Sequence, residues 1–431
     1  FPEIDNLDKI YSPYGIGLSL IFIPFVLMSK FLALFTGIEL RLILDFILSF
    51  YNIPFAILGL YFFQKITLLL GASPMRSILL TSSLGIGTCY WKYTVTDFSE
   101  ISQSSLLLVI IYILVSRKEN MWLYLSAAYS CLLLIKLTYI IYLPFLLIYF
   151  YTEQRHRNTE EILKAFFQSC SFVIPTCLLI ALFNFLRFNN VFEIGYGSII
   201  KFRYDFFLRD WFGYLFSFER GLLTFNPILL LSLMGIFFIP IPKRRISAII
   251  GLTTLIWFIT MCFWSSWQGG YCWGNRLLVP IVPLLMLPLI YLNFRRLESK
   301  ILLILTLIGS SIIQFAASFT KIHEIIEIKL RIQHITEQIP HSQLWRGLEL
   351  FLLKFKSPNA DYLASRFGVD DNKVINLGMF DTFHGFNLWV VHLLNHFDLE
   401  RYSHFIGIAI LSITIGFCFS LFGILLRNSR L

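Results

Sequence analysis

Long apolar runs alternate along the chain with short stretches that are basic, acidic or rich in glycine and aromatic residues. A hydrocarbon core about 30 Å thick calls for roughly 20 helical residues. Runs of that order lie at 42–64, 76–93, 101–116, 164–186, 222–240, 246–263, 277–293, 300–319 and 403–426. The run 121–151 is broken by Lys136 and Pro144 and reads as a pair of short helices. These runs have helix length and lack the ten-residue alternation of barrel strands, and a helix satisfies its own backbone in lipid. The pattern therefore predicts an all-α, polytopic transmembrane helical bundle with about 11 spans. Tyr14–Phe35 carries Gly15, Gly17, Pro24 and Lys30 behind an acidic leader holding Glu3, Asp5 and Asp8, and is expected to be a re-entrant or interfacial helix. The expected division is a membrane domain over 1–319, an extracytoplasmic segment with a small helical part over 320–402, and a C-terminal transmembrane helix with a tail over 403–431.

Composition narrows the class further. The 431 residues are 57% hydrophobic and 14% charged, and the mean hydropathy is +0.72, which excludes an ordinary soluble domain. The net charge of +9 reads as membrane topology, with the bilayer as partner, rather than as nucleic-acid binding. Lys65 with Arg76, Arg117 with Lys118, Arg155, Arg157 and Lys164, Lys243 to Arg245, Arg295, Arg296 and Lys300, and Arg427 with Arg430 mark alternate loops. The positive-inside rule makes that face cytoplasmic, and gives the other face the Asp97–Glu100 turn, the loop 187–221, the loop 264–276 and the segment 320–402. The seven cysteines are scattered, so neither a disulfide framework nor a metal-ligand spacing is read.

Candidate chemistry gathers on the second face. WSSWQGGYCWGNR, Trp264 to Arg276, packs three Trp, three Gly and an Arg between two spans. Gly269, Gly270 and Gly274 admit close backbone approach, the indoles of Trp264, Trp267 and Trp273 suit a headgroup-level interface, and Arg276 wants an anion. The bland alternative is a tight hairpin with an aromatic belt and a snorkelling Arg. Asp97 and Glu100, in TVTDFSE, have the spacing of a helix capping box. One of them, facing a cavity, is also a candidate proton acceptor. The loop 187–221 sets Arg187, Lys201, Arg203, Arg209 and Arg220 against Glu193, Asp205, Asp210 and Glu219, so mutual pairing accounts for most of its charge. Arg220, abutting Gly221 and the next span, is the exception with a candidate ligand role. His392 and His396 share a helix face but lack a recognised metal pattern, and read as a surface helix. Ser342–Lys356 reads as an amphipathic helix on the outer leaflet, and Asp361–Gly378 as a small cap over the outer cavity.

Taken in order, DKIYSPYGIGLSLIFIPF (Asp8–Phe25), GTCYWKYTVTDFSE (Gly87–Glu100), RFNNVFEIGYG (Arg187–Gly197), SFERGLLTFNP (Ser217–Pro227) and WSSWQGGYCWGNRLLVPIVP (Trp264–Pro283) carry a resemblance. HSQLWRGLELFLLK and GFNLWVVHLL extend it. The chain resembles the GT-C integral-membrane glycosyltransferases, to which protein O-mannosyltransferases and lipid A aminoarabinose transferases belong. The resemblance implies transfer of a sugar from a polyprenyl-phosphate donor to a hydroxyl of a glycan, lipid or protein acceptor. It implies a multi-pass protein of the plasma (inner) membrane whose site faces outward, serving cell-envelope glycosylation. Asp97 and Glu100 would then be catalytic carboxylates and Arg276 and Arg220 phosphate contacts, while Trp267, Gly269, Gly270 and Tyr196 would line the substrate site. No cofactor is implied, and a divalent metal, though compatible with the chemistry, is not indicated. Family members carry a first spanning helix and an outer loop with the principal acidic residue, and these are expected to precede Phe1. A transporter or flippase for a lipid-linked or anionic substrate is the alternative, as is an inactive scaffold of the same fold.

Overall fold

The computed structural model describes residues 15–193, 202–205, 207–266, 268–270, 272–294, 296–320, 342–354 and 400–428. It is about 81% helical and, among the described residues, forms no strand. The protein is thus an all-α helical membrane protein. Ile16–Thr36, Leu40–Leu69, Thr159–Phe188, Ile241–Cys262 and Leu297–Phe319 are long and apolar enough to cross a bilayer. Glu100–Ser116, Met121–Ile135, Ile228–Phe238, Arg276–Tyr291 and His404–Ser420 are shorter apolar helices. Helix Thr159–Phe188 leaves Phe166, Phe167, Ile174, Leu178 and Leu186 exposed, an apolar surface that suits lipid rather than water.

Two runs that hydropathy joins are broken by their own side chains. In 222–240, Asn226 and Pro227 divide Leu222–Phe225 from Ile228–Gly235. The Asn226 amide donates to Leu222 O at 2.8 Å and accepts from Cys89 N–H at 2.6 Å, which fixes the break to a neighbouring segment. In 277–293, Pro280, Pro283 and Pro288 remove helix donors. The chain becomes a 3-10 turn Arg276–Ile281, a short α-helix Val282–Met286 and a second 3-10 turn Leu287–Tyr291. Leu278, Val279, Ile281, Val282 and Met286 are all buried, so this irregular piece is wrapped in protein, where membrane proteins tolerate it.

The helix expected to be re-entrant or interfacial, Ile16–Thr36, is uninterrupted, runs through Pro24, and is long and apolar enough to cross a bilayer. Gly15 and Gly17 are not breaks but contact points. A Cβ on Gly15 would lie 2.9 Å from Ile135 O, and one on Gly17 2.6 Å from the Leu134 carbonyl carbon. The helix start therefore presses on the end of helix Met121–Ile135, where only glycine fits.

The basic loops do meet at one end of the bundle. Glu153 accepts from Arg117 at 2.8 Å and also from Arg245. Lys243 Nζ donates to Leu69 O at 2.8 Å, and Arg76 to Leu289 O at 3.2 Å. The loop 264–276, the Asp97–Glu100 turn, the 217–221 turn and helix Gln343–Lys354 meet at the other end.

Candidate functional site

Three segments build the site, and buried side chains fix each. The turn 93–98 is gripped by the start of helix Asn52–Leu69. Asn52 Nδ2 donates to Tyr93 O (3.2 Å), Thr96 O (2.8 Å) and Phe98 O (2.7 Å), and Tyr51 Oη donates to Phe98 O at 2.6 Å. This grip turns the chain so that Ser99, not Asp97, caps helix Glu100–Ser116, without a side-chain cap bond. The capping box expected from Asp97 and Glu100 does not form. Asp97 is exposed, whereas Glu100 opens the helix and is buried.

The Trp/Gly loop is the second segment. Gly269 (φ 71°) and Gly274 (φ 58°) sit in the left-handed region that favours glycine. A Cβ on Gly274 would also meet the Phe225 ring at 2.9 Å. Trp273 is buried with its ring 5.0 Å from that of Phe225, so this indole belongs to the core rather than to a headgroup belt. Arg220 donates through Nη1 to Cys272 O and to Gly274 O (3.3 Å), and through Nη2 to Gly270 O (3.1 Å). Two of its guanidinium nitrogens are committed to the loop's carbonyls, which makes it a clamp on the loop.

Helix Gln343–Lys354 is the third segment. Gln343 Oε1 accepts from Gly274 N–H at 2.9 Å and its Nε2 donates to Cys272 O at 2.7 Å, a two-point amide grip inside the core. Leu344 N–H donates to Phe218 O at 3.2 Å, and the Arg346 guanidinium lies 3.6 Å from Glu219. Burial lowers the Arg346 guanidinium from its ordinary value, with the Glu219 carboxylate opposing that shift. The helix covers the loop with its buried face, while Trp345 and Leu352 stand exposed, as the amphipathic pattern leads one to expect.

These supports bring Arg276 to Glu100. Arg276 Nε lies 3.4 Å from Glu100 Oε1, and the guanidinium carbon stands 4.4 Å over the Phe98 ring. Among the described residues, Glu100 Oε2, both amide atoms of Asn275 and Trp273 Nε1 are buried without a hydrogen-bond partner. Unpaired polar atoms are rare inside proteins and costly, so a concentration of them beside an ion pair marks a place for a polar ligand or water. The arrangement can bind an anion and accept a proton.

Among the expected site residues, Asp97, Glu100, Arg220, Gly269, Gly270 and Arg276 share this end of the bundle. Tyr196, Trp267, His392, His396, Asp361–Gly378 and the leader carboxylates Asp5 and Asp8 lie outside the described residues. The expected pairing within 187–221 holds for Arg203 with Asp205 at 3.3 Å and Arg209 with Asp210 at 2.8 Å. Sequence reasoning missed Asn52 and Gln343, whose buried amides hold the two loops. It also left Lys136 as a helix break, although Lys136 acts electrostatically on both Glu100 and Arg276. A lone ammonium inside an apolar run was the signal for it. Among the described residues, no cluster of His, Cys, Asp and Glu could hold a metal ion. Comparison of the chain with protein-family models, curated proteins and solved structures returned no significant match.

Proposed function

We propose that the chain is a multi-pass membrane glycosyltransferase of about eleven crossings. On this reading it moves a sugar from a polyprenyl-phosphate donor to an acceptor hydroxyl at the outward face of the plasma membrane. The observation that carries the reading is the buried Glu100–Arg276 pair, set at 3.4 Å beside the orphaned atoms of Asn275. In the reaction the acceptor oxygen attacks the anomeric carbon, the bond from that carbon to the phosphate oxygen breaks, and polyprenyl phosphate leaves. The acceptor's proton passes to a carboxylate. Glu100 takes that proton, and Asp97, exposed on the same turn, orients the acceptor. Arg276 forks onto the departing phosphate, whose charge grows in the transition state. Gly269 and Gly270 let the loop backbone approach the headgroup, while Arg220 and Gln343 hold the loop in place. Tyr196 and Trp267 line the sugar.

A second feature suits the donor's tail. An apolar cavity of ≈ 350 Å³ runs from Trp211, Leu222 and Phe258 near the loop to Pro288 and Tyr291 toward the basic end. Its walls offer hydrocarbon a continuous path.

The test is sugar transfer from a labelled polyprenyl-phosphate donor in membranes holding equal amounts of wild type, Arg276→Ala and Arg276→Lys. Both variants are expected to lose transfer; full activity in both would remove the assignment. A flippase or transporter is the second reading, favoured by Lys136, because an ionisable group within an apolar bundle often marks a substrate path. Movement of labelled donor across proteoliposomes without release of polyprenyl phosphate would select it.

A further inference from the structure

Asn275 closes the Trp/Gly loop one residue before Arg276, on non-helical backbone (φ −95°, ψ 89°) at the head of the 3-10 turn Arg276–Ile281. An asparagine in such a place ordinarily spends its side chain on the free N–H groups of the turn that follows. Here it makes no cap bond. Both amide atoms, Oδ1 and Nδ2, are buried without a hydrogen-bond partner in a residue that is 6% exposed.

The backbone around it is engaged on every side. Gly274 N–H donates to Gln343 Oε1 at 2.9 Å, Gly274 O accepts from Arg220 at 3.3 Å, and Asn275 O accepts from Leu278 N–H at 3.2 Å. Gly274, at φ 58° and with no room for a Cβ beside the Phe225 ring, fixes the approach to residue 275. The loop therefore cannot swing the carboxamide toward a partner elsewhere. Left unpaired, such a group destabilises an interior in which an apolar side chain of the same shape would fit without loss. Glu100 Oε2 is a second buried polar atom without a partner, on the carboxylate whose Oε1 lies 3.4 Å from Arg276 Nε. One unpaired group thus adjoins Arg276 in the chain and the other adjoins it in space.

The chemistry of the carboxamide selects the guest. It sets one acceptor and one two-hydrogen donor side by side. A phosphate offers acceptors alone, an ammonium offers donors alone, and an isoprenoid tail offers neither. A trans secondary amide turns its N–H and C=O to opposite sides. Two hydroxyls on neighbouring carbons of a sugar ring each donate and accept, so together they answer both halves of the carboxamide. We infer that Asn275 is the sugar-reading residue of the site, binding a vicinal diol of the ring while Arg276 takes the phosphate. This rests on the glycosyltransferase reading and adds the feature by which the sugar is chosen: a ring deoxygenated at either of those two carbons leaves the carboxamide half unpaired and is rejected.

Two measurements on the full chain in nanodiscs test it. In melting curves, Asn275→Leu, which keeps the shape and removes the unpaired atoms, is expected to fall no more than about 3 °C below wild type. A larger fall in both Asn275→Leu and Asn275→Ser would mean that the protein itself satisfies the carboxamide, and would overturn the inference. The variant that melts normally is then titrated by calorimetry with farnesyl phosphate, with the farnesyl phosphates of glucose, mannose and galactose, and with their C2, C3 and C4 deoxy counterparts. At least one sugar form is expected to bind wild type more tightly than farnesyl phosphate. The substitution should weaken that form about ten-fold or more, and farnesyl phosphate less than about three-fold. Removal of either of two neighbouring hydroxyls should weaken wild type likewise and the variant hardly at all. Methyl glycosides of the same sugars separate the two sources of a diol: dependence on Asn275 for these alone would keep the diol and move it from donor to acceptor. If no sugar binds in an Asn275-dependent way, or if farnesyl phosphate weakens equally, the inference is overturned and the transferase reading stands. Wild type that binds neither farnesyl phosphate nor its sugar forms would overturn both.

Discussion

The two ends of the bundle handle charge in opposite ways. At the basic end, Arg117 and Arg245 share Glu153 with side-chain exposures of 46%, 60% and 16%, and Lys243 rests on a helix-end carbonyl. At the other end, Arg276 and Glu100 are 20% and 6% exposed, and among the described residues Glu100 Oε2 and both amide atoms of the adjoining Asn275 are buried without a hydrogen-bond partner. The first arrangement is what a membrane protein needs to end its helices in water, and exposed pairs of this kind are worth about 0–1 kcal/mol. The second incurs a desolvation cost that stability alone does not repay. Charges kept buried at such a cost are the better candidates for chemistry, and the contrast can be broken by substitution at either end.

The largest effect is expected at Arg276. Arg276→Ala leaves Glu100 buried without its partner, a loss of about 3–5 kcal/mol of stability, together with loss of sugar transfer. A purified variant that melts like wild type would mean that water already reaches the carboxylate. Next comes Glu100→Gln, which keeps shape and removes the proton acceptor. Transfer is expected to fall on the order of 10²–10⁴-fold, measured as initial rate at equal protein. A normal rate would pass the role to Asp97 or to another carboxylate.

The loop's supports should follow. Gln343→Ala leaves Gly274 N–H without its buried partner, while Cys272 O keeps Arg220, at a cost of about 1–3 kcal/mol in melting experiments. Gly274→Ala is expected to cost more than Gly270→Ala. Both sit at positive φ, which disfavours a side chain by about 1–2 kcal/mol, but only the Cβ at 274 meets the Phe225 ring. Equal costs would show that Phe225 moves aside freely. The smallest change is expected at the basic end, where Arg117→Ala should stay within about 1 kcal/mol of wild type.

Much of the helix layout was legible in hydropathy. The expected runs 101–116, 246–263 and 300–319 correspond to Glu100–Ser116, Arg244–Cys262 and Leu297–Phe319. Of the basic loops grouped by charge parity, those of Arg117 and Arg245 come together on Glu153. Hydropathy misled where the backbone, rather than the side-chain transfer energy, decides. It joined 222–240 across Asn226–Pro227 and 277–293 across three prolines, and it read Gly15 and Gly17 as interruptions when they are packing contacts.

The candidate site was half legible. Arg276 and Glu100 stood out by residue type and setting, but their pairing depends on Asn52 and Tyr51 turning the 93–98 segment, and on Arg220 and Gln343 seating the loop. Those are interactions between segments far apart in the chain, which local pattern does not encode. Lys136 was visible as a charge in an apolar run, but the ring it stands over, Trp257, is brought to it only by packing.

The most direct measurement is a side-by-side comparison of Arg276→Lys and Arg117→Lys in the same membranes, with sugar transfer and melting temperature read from each preparation. Lysine keeps the charge and removes the fork, so at Arg276 transfer should collapse nearly as far as in Arg276→Ala, while at Arg117 both readings should match wild type. If the two lysine variants transfer sugar equally well, the Glu100–Arg276 end is not the seat of the reaction.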